Sequence, residues 1–405
     1  MIETKDIIGV LTWARNINYG GVLQAVALRS AIERLGFQAE LVHYEQNQAD
    51  VSYGRLFGFT RHSRMPLLLG WVIDFVFRVL VDGYFFASVL RLKRSREFIK
   101  KHVKLSKEYY PDYPSLCRQT KYNTIVVGSD QVWNPRFFND VPGYLLAEMP
   151  ECVRKISYAA SVAMPRIGKD IQYFKAALPK YAAVSVREKS SVEELEKNCG
   201  VPVKWVVDPT LLLSASEWTK LLSLPAICDD GYVACYWLSE LEDVLPQVLS
   251  FAKANHVKVH VFSNIEAFRI RKLTPNAILR HLWVRIRLLV SPYVSFRKSA
   301  DPRQFLSDLV ASSAVVSDSF HALMFSTIFR KPVKIVVPAE RMQMASRIDD
   351  FLEHINLQCV RVNSLPDAFM SLGASNCSAA AYVGLDRWID ESRTWLQAHI
   401  MGDHK

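Results

Sequence analysis

At 405 residues, half of them hydrophobic and 22% charged, the chain is too long for one ordinary core and too apolar for a large disordered region, so two domains are expected. Its seven cysteines are odd in number and show no paired ligand spacing, which argues against a disulfide framework and for reduced thiols. The formal net charge of +10 favours an anionic partner, but the basic residues cluster only modestly and carry no zinc-finger or RNA-recognition signature, so nucleic acid is not expected.

In chain order, Glu3 and Asp6 precede the first apolar run, the wrong order for a secretory signal. A cytoplasmic protein is expected, with the inner face of the membrane as a second place for it. Residues 7–13 read as a strand, followed by a polar loop and a helix over 21–35 that Gly36 closes. A strand at 39–42 precedes a long helical insertion, about 60–104. Within it, residues 66–92 are very apolar, but Asp74, Arg78 and Asp82 interrupt them, and charge at a bilayer centre is costly. A buried helical hairpin is favoured there over docking on a membrane surface, and a span is not expected. Strands follow at 123–127, 154–158, 183–186 and 203–207, with a helix over 190–198 and Gly200 just past its end.

A second series opens after Asp208-Pro209-Thr210, with strands at 232–237, 257–262, 314–316 and 333–337 and helices between them. Residues 276–297, rich in arginine, leucine and valine, show no clean period and read as a mobile or substrate-covering region. A final helix is expected over 385–398. Such alternation implies mostly parallel sheets covered by helices. The expected fold class is α/β, with two Rossmann-like domains facing across a cleft in the GT-B layout. The first domain spans 1–210 and holds the helical insertion, the second spans 211–375, and residues 376–405 form the terminal helix. Ligands of such sheets sit beyond the carboxyl ends of the strands.

Four strand ends therefore draw attention. In Val315-Val316-Ser317-Asp318-Ser319-Phe320-His321 a strand meets a helix, and three successive residues are capable N-caps. Free amides and the helix dipole favour an anion such as phosphate there. His321 in the first turn is a candidate general acid or base whose charge the sequence leaves open. The plainer reading is a hydrogen-bonded core histidine beside ordinary caps. In Val186-Arg187-Glu188-Lys189-Ser190, Arg187 offers a planar fork to a carboxylate or phosphate, with Ser190 as the expected cap of the next helix. A surface pairing of Arg187 with Glu188 or another carboxylate is the equal alternative. Asn18-Tyr19-Gly20-Gly21 is a glycine turn opening a helix, without dinucleotide spacing. Gly128-Ser129-Asp130-Gln131-Val132-Trp133-Asn134 offers an acid, amides and an aromatic plane suited to sugar hydroxyls, unless Trp133 lies in the core. No metal-binding or cofactor motif is present, so neither is expected.

Together these segments, with Ser157-Tyr158-Ala159-Ala160-Ser161 and Val207-Asp208-Pro209-Thr210 between them, resemble the polysaccharide pyruvyltransferase family. Six motifs stand in the family's order across residues 5–340. The resemblance implies a GT-B-like fold and transfer of a pyruvyl unit from phosphoenolpyruvate to a sugar hydroxyl pair as a cyclic ketal, with phosphoenolpyruvate as co-substrate and no cofactor. The first domain would then take the acceptor and the second the donor phosphate. The family's donor contacts fall on Arg187, His321 and Phe320, although some members carry a smaller aliphatic residue at the last position.

On this reading Arg187 holds the donor carboxylate, the helix start at Ser319, Phe320 and His321 holds phosphate, and His321 moves a proton. Asn18, Gly20, Gly128, Ser129, Asp130 and Trp133 line the acceptor side, with Asp130 orienting or deprotonating the hydroxyl. A lipid-linked oligosaccharide is the preferred acceptor, and peripheral membrane contact goes with it. The rivals are a GT-B glycosyltransferase using a nucleotide sugar and a non-catalytic scaffold of envelope assembly.

Overall fold

Short apolar runs form most of the strands, which alternate with helices along the chain. The computed structural model describes residues 7–15, 18–44, 85–137, 142–164, 166–239, 241–263, 274–337, 345–372 and 379–402. In the first half the elements are β1 (Ile7–Leu11), α1 (Tyr19–Arg34), β2 (Gln38–Tyr44), α2 (Phe85–His102), β3 (Leu105–Tyr110), α3 (Tyr113–Gln119), β4 (Thr124–Val127) and α4 (Pro142–Leu145). They continue with β5 (Arg154–Ser157), α5 (Ile171–Ala177), β6 (Val184–Val186), α6 (Ser190–Cys199) and β7 (Val203–Trp205). The sheet order is β3-β2-β1-β4-β5, all parallel. The parallel pair β6-β7 joins its β5 edge through bridges at Ile156–Ala183 and Ala160–Val186.

The second half comprises α7 (Ala215–Leu222), β8 (Tyr232–Trp237), α8 (Leu241–Asn255), β9 (Lys258–Ser263), α9 (Pro275–Val290), β10 (Val294–Phe296), α10 (Pro302–Ala311) and β11 (Ala314–Ser317). After these come α11 (Phe320–Ile328), β12 (Val333–Val336), α12 (Ser346–His354), β13 (Arg361–Val362), α13 (Leu365–Met370) and α14 (Ala379–Met401). Its parallel sheet runs β10-β9-β8-β11-β12-β13. Parallel strands are covered on both faces, and the sequence shows it: every residue of Tyr232–Trp237 and of Ala314–Ser317 is buried.

The two sheets share a core through α1 and α14. Tyr19, at the start of α1, stacks on Phe305 of α10 at 4.7 Å, and its hydroxyl donates to the Ala300 carbonyl. Burial pushes that phenol up to about 12. Arg91 of α2 lies over the Tyr19 ring at 4.4 Å and donates to the Ser263 carbonyl at the end of β9. Along α14, Trp388 packs on Trp205 of the first sheet and on His354 and Phe351 of α12, while the Ser392 hydroxyl accepts from the Val207 amide.

Three local expectations are corrected. Residues 276–297 are helix α9 followed by β10; the helix carries apolar side chains on two faces, which erases a simple amphipathic period. Ser190 is the first helical residue of α6, and Lys189 holds the cap position. β3 escaped prediction because only Ser106 and Tyr110 of its six residues are buried, leaving no apolar alternation. Of the helical insertion, residues 60–84 fall outside the described residues, and 85–102 form one helix.

Candidate functional site

The carboxyl ends of β4, β6 and β11 lead to Ser129 and Asp130, to Arg187 and Glu188, and to Phe320 and His321 at the start of α11, and these side chains meet in one buried cluster. Arg187 is buried, and its guanidinium is held from several sides. Nη1 donates to Asp208 Oδ2 at 3.0 Å and to Ser129 Oγ at 3.4 Å, and Nη2 donates to Ser161 Oγ at 3.0 Å. Nε stands 3.5 Å from Glu188 Oε1, and the guanidinium carbon lies 4.7 Å from the Phe320 ring centroid. Ser161 in turn donates to Glu188. The pairing with a carboxylate allowed by the sequence is real, but it is deep in the cleft, where an ion pair needs further hydrogen bonds to offset desolvation.

Asp208 is the node of the cluster. Its Oδ1 accepts from the Thr210 amide at 3.0 Å and the Thr210 hydroxyl at 2.7 Å. Its Oδ2 accepts from Arg187 and Ser129 and stands 3.8 Å from His321 Nε2. Burial alone would raise this carboxyl, yet His321, Arg187 and the Thr210 hydrogen bonds hold it below its ordinary value. Burial likewise opposes the Arg187 charge, but Glu188, Asp208 and Asp130 keep its pKa above the usual one. For Glu188, burial wins over Arg187 and Ser161 and raises the carboxyl.

His321 sits in the first turn of α11, 7% exposed. Burial lowers its pKa, opposed by Asp208 and Asp130 and aided by Arg187 and Arg347, so the imidazole is neutral near pH 7. Among the described residues its buried Nε2 has no hydrogen-bond partner, a costly state for a polar atom that does not serve a ligand. The amino end of α1 closes the other side. A Cβ on Gly20 would lie 2.1 Å from His321 Nδ1, so only glycine permits this approach of the first half to the second. Two helix amino ends thus converge on the imidazole, and their dipoles favour an anion.

Of the sequence-selected residues, the cleft gathers Arg187, His321, Phe320, Ser129, Asp130 and Gly20. Asp130 has a left-handed backbone, φ 68°, which aspartate tolerates better than most residues; its Oδ1 accepts from the Gln131 amide. Asn18 caps α1 by accepting from the Gly20 amide, and Tyr236 of the second sheet donates to the same oxygen at 3.4 Å. Ser319 holds the N-cap position of α11 without a side-chain cap bond, and its amide donates to Ser317 Oγ. Asp318 instead accepts from the Leu238 and Ser239 amides.

Phe320, 3% exposed, packs its ring against the Arg187 and Arg347 guanidinium groups. Trp133 is corrected outright. It is fully buried, donates to the Tyr144 carbonyl and packs on Phe174 and Tyr181, which leaves no plane for a sugar. Gly128 is a packing glycine, where a Cβ would come within 2.9 Å of Thr12 Cβ. Sequence reasoning passed over Asp208, Ser161 and Arg347 as site residues. Asp208 and Ser161 were detectable, since both stand in motifs that carry the resemblance; Arg347 carried no signal of its own.

The profile of the family described as polysaccharide pyruvyl transferase matches residues 18–336. A comparison with curated protein sequences finds no match. Among solved structures, the chain is similar to the UDP-GlcNAc 2-epimerase of Neisseria meningitidis bound to UDP-GlcNAc, with 11% identity, 98% of this chain and 99% of that one covered, and a TM-score of 0.52. The Methanocaldococcus jannaschii UDP-GlcNAc 2-epimerase gives 8% identity, coverage of 97% and 99%, and a TM-score of 0.51. A putative UDP-N-acetylglucosamine 2-epimerase from Listeria monocytogenes gives 10%, coverage of 99% and 93%, and 0.50. At these identities the likeness is one of fold, the two-domain GT-B architecture.

Proposed function

The chain belongs to the polysaccharide pyruvyl transferase family, and from that premise we propose that it moves the pyruvyl unit of phosphoenolpyruvate onto a sugar hydroxyl pair as a cyclic ketal in surface polysaccharide synthesis. The observation that carries this reading is the convergence of Arg187, His321, whose Nε2 has no hydrogen-bond partner among the described residues, and two helix amino ends in one buried cluster. Such a space suits a small, highly charged anion. Arg187 takes the donor carboxylate and the start of α11 takes the phosphate.

In ketal formation the donor methylene gains a proton, the central carbon receives both sugar oxygens, and phosphate leaves with its electron pair. One hydroxyl proton balances the new methyl group and the other leaves with phosphate. His321 accepts a hydroxyl proton and delivers it to the departing phosphate. Asp130, whose charge reaches His321 and Arg187, orients the acceptor from the first-domain side. Arg187 and His321 are 4% and 7% exposed, so donor entry requires the two halves to part.

Calorimetric titration of phosphoenolpyruvate tests the donor. Saturable binding is expected, weakened in Arg187→Lys because a point charge does not replace a fork. A change of about 1 kcal/mol or more is the scale of a charged hydrogen bond. Binding of a nucleotide sugar in place of phosphoenolpyruvate would move the assignment to glycosyl transfer.

A further inference from the structure

Helix α9 is apolar on opposite sides. His281, Val284 and Leu288 face the second domain and are buried, and burial drives the His281 pKa down to about 4. Leu279, Trp283, Ile286 and Val290, at helical spacing, form an outward stripe, with Leu289 beside it; all five are more than half exposed. An exposed apolar stripe of this length marks a face that another body covers. The flanks indicate which. At 100° per residue, Arg280 and Arg287 border one side of the stripe and Arg285 the other, and Pro275–Val290 contains no acidic residue. The Arg287 guanidinium lies 4.5 Å from the Trp283 ring centroid.

We propose that α9 is a docking element that lies on the surface of an anionic phospholipid bilayer, with Leu279, Trp283, Ile286 and Val290 in the acyl boundary and the arginines on lipid phosphates. Tryptophan and arginine in this order suit the headgroup level, where long cationic stems extend their charge outward. Among the described residues no helix is long and apolar enough to cross a membrane.

α2 adds a second exposed apolar and basic helix. It exposes Phe86 and Leu90, ends in Lys100, Lys101 and His102, and is tied to the ends of the β9–α9–β10 unit by Arg91 on Ser263 and Arg94 on Ser299. In the parallel sheet β9 lies two places from β11, about 10 Å at ordinary strand spacing. Docking is independent of the donor chemistry.

The test is flotation of the full chain with vesicles of phosphatidylcholine alone or mixed with phosphatidylglycerol, at low and high salt. Binding to the mixed vesicles is expected, reduced by salt and much weaker on phosphatidylcholine alone. Arg280→Gln with Arg287→Gln should lower the partition coefficient by roughly tenfold or more, and Leu279→Ser with Trp283→Ser and Ile286→Ser should abolish flotation while the circular dichroism spectrum is kept. If the triple variant fails to fold, the arginine variant decides alone. Failure of the parent protein to float, or equal flotation of the arginine variant, overturns the proposal. A parent dimer that the triple variant converts to monomer, without flotation, would assign the face to a second copy of the chain.

Discussion

One carboxylate oxygen, Asp208 Oδ2, faces both Arg187 and His321, so the acid couples the fork that would hold an anion to the base that would move a proton. His321 itself is set by two opposed influences, burial against the nearby carboxylates, and burial prevails. Its folded pKa lies below the ordinary value of 6.5, so below about pH 6.5 the unfolded chain binds more protons at this site than the folded one. The stability it contributes is full above that pH and is lost as pH falls toward the folded pKa. Urea midpoints should therefore drop as the pH falls below about 6.5 more steeply in the parent protein than in His321→Gln; identical slopes would mean the imidazole is not held neutral. Gly20 sets the other constraint. In Gly20→Ala the new methyl would overlap the imidazole, and a loss of about 1–3 kcal/mol in unfolding free energy, the usual overpacking cost, is expected together with weaker phosphoenolpyruvate binding. Unchanged stability and affinity would show that the ring moves aside freely.

Helix α9 shows how an element can hide from periodicity. Its buried face, His281, Val284 and Leu288, has helical spacing, and so does its exposed stripe; superposed, they read as an irregular mixture of leucine, valine and arginine. The mobile alternative expected for this stretch gives way to a packed helix because Val284 is fully buried with α8 and β10 residues in one cluster. Val284→Ala should cost about 1–3 kcal/mol in chemical denaturation, a core truncation, whereas Ile286→Ser should change stability by no more than about 0.5 kcal/mol. Comparable effects at the two positions would refute the two-faced packing. α6 and α14, by contrast, were readable in outline because each presents a single apolar face to the core or is closed by a glycine such as Gly200.

At the scale of the whole molecule, α14 returns from the second half to close the first, and Trp388 touches β7 through Trp205 and α12 through Phe351 and His354. Removing it should uncouple the halves. Trp388→Ala is expected to cost about 3–5 kcal/mol and to broaden or split a single thermal unfolding transition, and a sharp transition with unchanged midpoint would refute its role as a joint. The α/β alternation, the two series of strands and the strand ends bearing Arg187 and His321 were determined by sequence, since buried parallel strands are short apolar runs and their following turns are local. The fate of Trp133, the twin faces of α9, and the meeting of Arg187 with Asp208 and of Gly20 with His321 were decided only by tertiary structure. Those contacts join residues from different strand ends or different domains, and no local period records which side chains a folded cleft brings within hydrogen-bond reach.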